Sequence, residues 1–147
     1  MRSPLSRPAI FGGFDGTATL LGVVIYLLLT HPGLIFPTAV SGAISSAVSM
    51  GGGEFLSESD TGLAASGVMA AATFTGAVLP AVPFAFTTGV PAITACALIC
   101  AGIGLVVAWM RHTPSRVVAV TQTLGLLAAV AAAVVACSLL LPGGNAA

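Results

Sequence analysis

Charged positions divide this chain into long apolar stretches separated by short polar breaks. Three stretches carry no Asp, Glu, Lys or Arg: residues 16–53, 61–110 and 117–147. A helix needs about 20 predominantly apolar residues to cross a bilayer core of about 30 Å. The first stretch, with the residues just before it, has room for two such helices, the second has room for two, and the third holds one. The pattern therefore predicts five transmembrane helices.

Turn signals divide the two longer stretches. The sequence Thr-His-Pro-Gly at 30–33 separates the first helix from the second, and the Thr-Thr-Gly between Pro83 and Pro91 separates the third from the fourth. None of the stretches shows the apolar/polar alternation of a membrane β-barrel. The expected fold is an all-α integral membrane protein, a single transmembrane domain over 1–147, with helices near 10–30, 34–56, 62–84, 90–111 and 116–141.

Composition excludes a soluble domain. Only 5% of the residues are charged and 57% are hydrophobic, with a mean hydropathy of +1.11, whereas soluble domains carry about 25% charged residues. We expect the first span to be retained, because Asp15 comes too early for a typical signal peptide and no clear cleavage site follows. The Ala- and Gly-rich, lysine-free composition favours a bacterial plasma membrane.

The arginines predict the orientation. With five spans, the N-terminus and the connections at 57–61 and 112–115 share one side of the membrane. All four arginines fall on that side: Arg2, Arg7, Arg111 and Arg116. Because Arg and Lys are enriched on the cytoplasmic side, we expect the N-terminus in the cytoplasm and the C-terminus outside.

Asp15 is the first candidate functional residue. A carboxylate near mid-membrane costs about 2.5–3.5 kcal/mol on insertion scales, so such residues usually serve a function. The alternative is that Asp15 lies at the cytoplasmic edge, solvated near Arg7. Gly12 and Gly16 bracket it at the small-xxx-small spacing of packed membrane helices. This spacing favours an Asp15 that faces protein rather than lipid.

The end of the second span offers further ligands. Met50, Glu54 and Glu58 are spaced four residues apart, which stacks them on one helix face. Carboxylates suit manganese and similar ions, a thioether suits softer metals, and a line of weak sites suits passage of an ion. The alternative is a core methionine with acids at the headgroup level. Along the same span, a predicted packing face repeats every four residues: Ser41, Ser45, Ser49 and Gly53.

Three segments carry recognisable motifs: FDGTATLLGV at 14–23, SMGGGEFLS at 49–57 and GAVLPAVPF at 76–84. The first resembles the opening Asp-Gly helix of the vacuolar iron transporter family. The second is similar to that family's Ser-Met and Gly-Glu signature, and the third to its third-helix ending with paired prolines. The likeness covers residues 10–90, and the last two helices match only in hydropathy.

The resemblance implies an exporter of ferrous iron or manganese from the cytosol, in exchange for protons. It implies a homodimer with the ion path between the subunits, no permanently bound cofactor, and Fe²⁺ or Mn²⁺ as the transported ion. Asp15 and Met50 would line the path, and Glu54 would stand at its cytoplasmic mouth. Two departures stand out: a short connection with Glu58 replaces the Glu-rich cytoplasmic insert of many members, and Gly42 occupies a position where some members carry a glutamate.

Other functions have less support. A non-transporting structural or regulatory membrane subunit is the alternative, and no nucleophile–base pair indicates an enzyme. Four unclustered arginines do not indicate a nucleic-acid partner. Cys96 and Cys100, one helical turn apart, form a conceivable soft-metal pair, but small apolar core residues are the favoured interpretation. His31 and His112 lie in connections, where a histidine is usually solvated.

Overall fold

The fold is a bundle of helices. It was obtained as a computed structural model, which describes residues 5–57, 62–111 and 115–140. A 3₁₀ turn at Pro32–Leu34 joins the first two helices, and the α-helices are α1 Ser6–Thr30, α2 Ile35–Ser57, α3 Gly62–Ala81, α4 Pro83–Phe86, α5 Val90–Met110 and α6 Arg116–Leu140.

Five of these helices, all except α4, are long and apolar enough to cross a membrane. The prediction of an all-α fold with five transmembrane-length helices is therefore confirmed, and the helices indicate an integral membrane protein. The largest difference at a helix start is in α1, which begins at Ser6 rather than at residue 10. Pro8 is compatible with this earlier start, because the backbone N–H groups of a first turn have no partner within the helix.

The third predicted helix ends earlier than expected. It stops at Ala81, and the short α4 then begins at Pro83. Pro80 is accommodated inside α3, but a second proline three residues later removes another N–H and crowds the carbonyl of Leu79. The N–H of Val82 still bonds to the carbonyl oxygens of Val78 and Leu79, at 3.1 and 3.3 Å. The chain then turns through Gly89, whose φ of 74° favours glycine, into α5.

The closest packing in the bundle joins α1 to α3. At Gly76 an added Cβ would lie 2.6 Å from the carbonyl oxygen of Gly13, and at Gly12 it would lie 2.5 Å from that of Met69. The Thr17 hydroxyl donates to the Gly13 carbonyl at 2.9 Å and approaches that of Gly76 at 3.3 Å. The two backbones therefore meet directly, as small residues permit in membrane helices.

Helix α1 is the common neighbour in the bundle. It packs against α2, α3, α5 and α6, whereas α2 and α6 do not form a packed pair. A core of apolar residues from α1 to α5 fills the half of the bundle away from the arginines, and it includes Leu20, Ile35, Phe84, Cys96 and Cys100. The opposite half, which contains Arg7 and Arg111, holds a cavity.

Candidate functional site

Asp15 and Ser46 meet between α1 and α2. The Ser46 hydroxyl donates to Asp15 Oδ2 at 3.3 Å, and both residues are half-buried. Asp15 lies two helical turns inside Arg7, about 12 Å along α1. Gly12 and Gly16, which bracket Asp15, are buried against α3. The carboxylate therefore lies deep along the helix and contacts protein, as the glycine spacing predicted.

Ser46 begins a line of residues along α2 that also contains Met50 and Glu54. We call these three residues the α2 edge. All three are half-buried, and α2 remains helical through Ser57. Their spacing of four residues places Met50 about 6 Å and Glu54 about 12 Å along the helix from Ser46. Glu58, the last member of the predicted line, lies outside the described residues.

The glycines after Met50 are not equivalent. At Gly51 an added Cβ would lie 2.8 Å from the Cβ of Ala70, and the Ser66 hydroxyl donates to the Gly51 carbonyl at 2.6 Å. At Gly52 and Gly53 an added Cβ would meet nothing within 4 Å. Close approach to α3 therefore requires a small residue at Gly51 alone.

The predicted packing face of α2 does not pack against another helix of the same chain, so this prediction is wrong within the single chain. Ser41, Ser45 and Ser49, which we call the serine stripe, are exposed, and so is Gly53. The residues of α2 that are buried belong to a different four-residue series: Ile35, Ala39, Ala43, Ala47 and Gly51. Both series consist mainly of small residues, and the one without hydroxyl groups packs against the neighbouring helices.

Glu54 also lines the cavity at the arginine end of the bundle. This cavity has a volume of about 600 Å³ and brings Glu54 together with Arg7 and Arg111. Asp15 and Met50 are not among its lining residues. The structure thus brings Asp15 against Ser46, at one end of the α2 edge. Glu54 lies at the other end of this edge, close to the arginines, so the two carboxylates are separated.

The described residues do not form a cluster of three acidic, histidine or cysteine ligands. Among the described residues, no group of three or more His, Cys, Asp or Glu side chains is close enough to hold an ion together. Cys96 and Cys100 are buried in the apolar core. His31 is exposed after α1, and His112 lies outside the described residues.

Comparisons with known proteins provide no further evidence for a family. No protein-family model, curated protein or solved structure matches the chain. The likeness to vacuolar iron transporters therefore depends on the three segments quoted above. The contact of Ser46 with Asp15 was not predicted from the sequence. The only feature that could have indicated it is the position of Ser46 one helical turn before Met50.

Proposed function

We propose that this chain carries ferrous iron or manganese out of the cytosol, as a short relative of the vacuolar iron transporters. The observation that supports the proposal is the contact between Asp15 and Ser46, which brings an intramembrane carboxylate against the α2 edge. An acidic side chain at this depth is unfavourable unless it has partners or a function. Ser46 supplies one hydrogen bond, and a carboxylate has capacity for further ligands.

In this proposal the ion passes along the α2 edge. It enters beside Glu54, moves to the thioether of Met50 and then to Asp15, with steps of about 6 Å along the helix. The carboxylate oxygens suit manganese and similar ions, and the thioether shifts the preference towards softer metals. Weak sites in series allow an ion to leave as well as to enter. We propose that the ion is exchanged for protons, as the resemblance to the vacuolar iron transporters implies.

A homodimer is part of the proposal. Thr19 of α1 and the serine stripe of α2 are exposed on helices of transmembrane length. Hydroxyl groups on such surfaces stabilise helix association, and serine permits close approach of a second helix. A second copy that covers this surface would double the number of ligands near the path. These ligands would add to those that the described residues of one chain provide.

The proposed orientation has the N-terminus in the cytoplasm and the C-terminus outside. Arg7 and Arg111 line one cavity, so they lie at the same end of the bundle. The excess of arginine at that end supports a cytoplasmic placement. Glu54 at the same end would then be the cytoplasmic mouth of the path. We propose the plasma membrane of a bacterium as the location.

Two observations favour the alternative, a membrane subunit that keeps this fold without transport. Gly42 lies one helical turn before Ser46, where it offers no ligand, and its surroundings are open. The single chain also lacks a cluster of three acidic, histidine or cysteine ligands among its described residues. The alternative predicts that Asp15, Met50 and Glu54 can each be replaced without loss of activity in the assembly that contains the chain.

Uptake by proteoliposomes tests the proposal. The purified chain is reconstituted, and entry of Fe²⁺ and Mn²⁺ is followed with and without a proton gradient. We expect gradient-dependent uptake that is lost in Asp15→Asn. The matched control is Thr94→Ala, because the Thr94 hydroxyl is exposed and bonds only to carbonyls of its own helix. Wild-type uptake by a folded Asp15→Asn protein would exclude the mechanism, and no uptake by the folded wild-type chain would favour the subunit.

A further inference from the structure

The cavity at the arginine end has two chemically different parts. Six of its lining residues define what we call the arginine cavity: Arg7, Phe11, Phe14, Glu54, Arg111 and Leu126. Two guanidinium groups and one carboxylate belong to the charged part. Phe11, Phe14 and Leu126 belong to the apolar part, and Phe14 lies about 10 Å along α1 from Arg7. The volume of about 600 Å³ falls within the range of ligand-binding pockets.

Arg111 is held in place by neutral groups. Its Nη1 donates to Thr123 Oγ1 at 3.2 Å, and its Nη2 donates to Gln122 Oε1 at 3.0 Å. Neither bond neutralises the positive charge. A guanidinium group has five N–H donors, so donors remain for a ligand. The side chain is therefore both oriented and charged, as expected in a prepared anion site.

The position of the cavity favours a ligand from the membrane. Its walls come from α1, α2, α3, α5 and α6, and α2 and α6 do not pack against one another. The cavity lies at one end of helices that are long enough to cross the bilayer. Charged groups at a membrane boundary with apolar groups beneath them match the division between a lipid headgroup and its acyl chains.

We propose that the arginine cavity binds a phospholipid with a primary ammonium headgroup, of the phosphatidylethanolamine type. Arg7 and Arg111 bind its phosphodiester, since guanidinium groups form strong charge-assisted hydrogen bonds to phosphate oxygens. Glu54 binds the ammonium group. The beginning of one acyl chain lies along Phe11 and Leu126. The carboxylate of Glu54 is also the entrance of the proposed transport path, so a bound ammonium group and an entering metal ion would compete for it.

A free phosphate ion shares the phosphodiester's affinity for the two arginines, but the rest of the cavity favours the lipid. Inorganic phosphate has no apolar part to cover Phe11, Phe14 and Leu126, and no cation to pair with Glu54. A phospholipid with a glycerol headgroup offers no cation to Glu54, so this carboxylate would pair with Arg7 or Arg111 and compete with the phosphodiester for them. The charges of the cavity therefore distinguish these ligands.

The test measures lipid retained by the intact chain. The protein is reconstituted in nanodiscs of equal parts phosphatidylethanolamine and phosphatidylglycerol, extracted into mild detergent, and analysed by native mass spectrometry. We expect one phosphatidylethanolamine per chain. The double variant Arg7→Gln/Arg111→Gln should reduce its retention about tenfold or more, because both charge-assisted contacts are lost. Glu54→Gln should shift retention towards phosphatidylglycerol.

Control variants separate binding from folding. Arg116→Gln removes an arginine that contacts Trp109, with its guanidinium 5.5 Å from the ring centroid, and that does not line the arginine cavity. It should retain the lipid. Arg7→Lys/Arg111→Lys keeps the charge and should retain more lipid than the glutamine pair. Thermal unfolding in detergent confirms that each variant is folded.

Three results would overturn the proposal. The first is unchanged lipid retention in a folded Arg7→Gln/Arg111→Gln protein. The second is displacement of the lipid by millimolar inorganic phosphate, which would identify a free anion as the ligand. The third is equal retention of both lipids by the wild-type chain and by Glu54→Gln, which would remove the role of the ammonium group.

Discussion

The carbonyl oxygen of Gly13 lies so close to Gly76 that a methyl group added at Gly76 would approach it to 2.6 Å. This contact joins α1 to α3 by backbone alone. It determines where Asp15, two residues after Gly13, lies relative to the rest of the bundle.

Gly76→Ala should therefore destabilise the fold. Forcing extra atoms into a packed interior costs about 1–3 kcal/mol, and a backbone atom cannot move aside as a flexible side chain can. We expect a lower thermal unfolding temperature in detergent. Gly67→Ala is the control on the same helix, since a Cβ there meets nothing within 4 Å. Equal stability of the two variants would contradict the close contact.

Ser46→Ala should impair transport without unfolding the chain. A hydrogen bond to a charged group contributes about 1.5–3 kcal/mol, and about 1.4 kcal/mol corresponds to a tenfold change in rate. We expect metal uptake by proteoliposomes to fall about tenfold or more. Thr94→Ala is the control, because the Thr94 hydroxyl is exposed, bonds only to carbonyls of its own helix and lies outside the proposed dimer surface. Similar uptake by both variants would argue against a role for the contact with Asp15.

Gly42→Glu should strengthen metal binding. Gly42 is half-buried one turn before Ser46, and a Cβ added there meets no atom within 4 Å. A carboxylate at this position would extend the α2 edge by one ligand. We expect the apparent KM for Fe²⁺ or Mn²⁺ to fall about tenfold, equivalent to about 1.4 kcal/mol. Gly42→Gln has the same size without the charge, and an equal effect of both substitutions would show that charge at this position is irrelevant.

Cysteines placed on the serine stripe should cross-link two chains. In a background where Cys96, Cys100 and Cys137 are replaced by alanine, Ser41→Cys, Ser45→Cys and Ser49→Cys are oxidised one at a time in membranes. Disulfides require Cβ atoms about 3.5–4.5 Å apart, so we expect at least one variant to give a covalent dimer on a non-reducing gel.

The cross-linking control is Thr94→Cys, which is also an exposed position but lies on α5. It should remain monomeric on the gel. A covalent dimer from this variant, with none from the serine stripe, would move the dimer interface away from α2.

The sequence was sufficient to predict the number of helices and most of their ends, because uncharged stretches and turn residues act locally. It was less informative about the end of α3. Pro80 and Pro83 lie in the same apolar segment, and the pattern does not determine which of them interrupts the helix. The early start of α1 was also missed, because Pro8 precedes the apolar run on which the prediction depended.

Contacts between helices were the least predictable part. Small residues repeat every four positions in two series along α2, one with Ser45 and one with Ala43, and spacing alone does not select the buried series. Asp15 was found from its charge. Ser46 was missed because its importance comes from a hydrogen bond to a residue on another helix, which no local pattern records.

The backbone contact between α1 and α3 also limits how the protein can move. No side chain separates Gly13 from Gly76, so α1 and α3 have little room to rearrange against one another. In the proposed transport cycle we therefore expect Asp15 to remain fixed relative to α3. Alternating exposure of its carboxylate to the two sides of the membrane would then come from displacement of α2, of the α5–α6 pair, or of one subunit against the other.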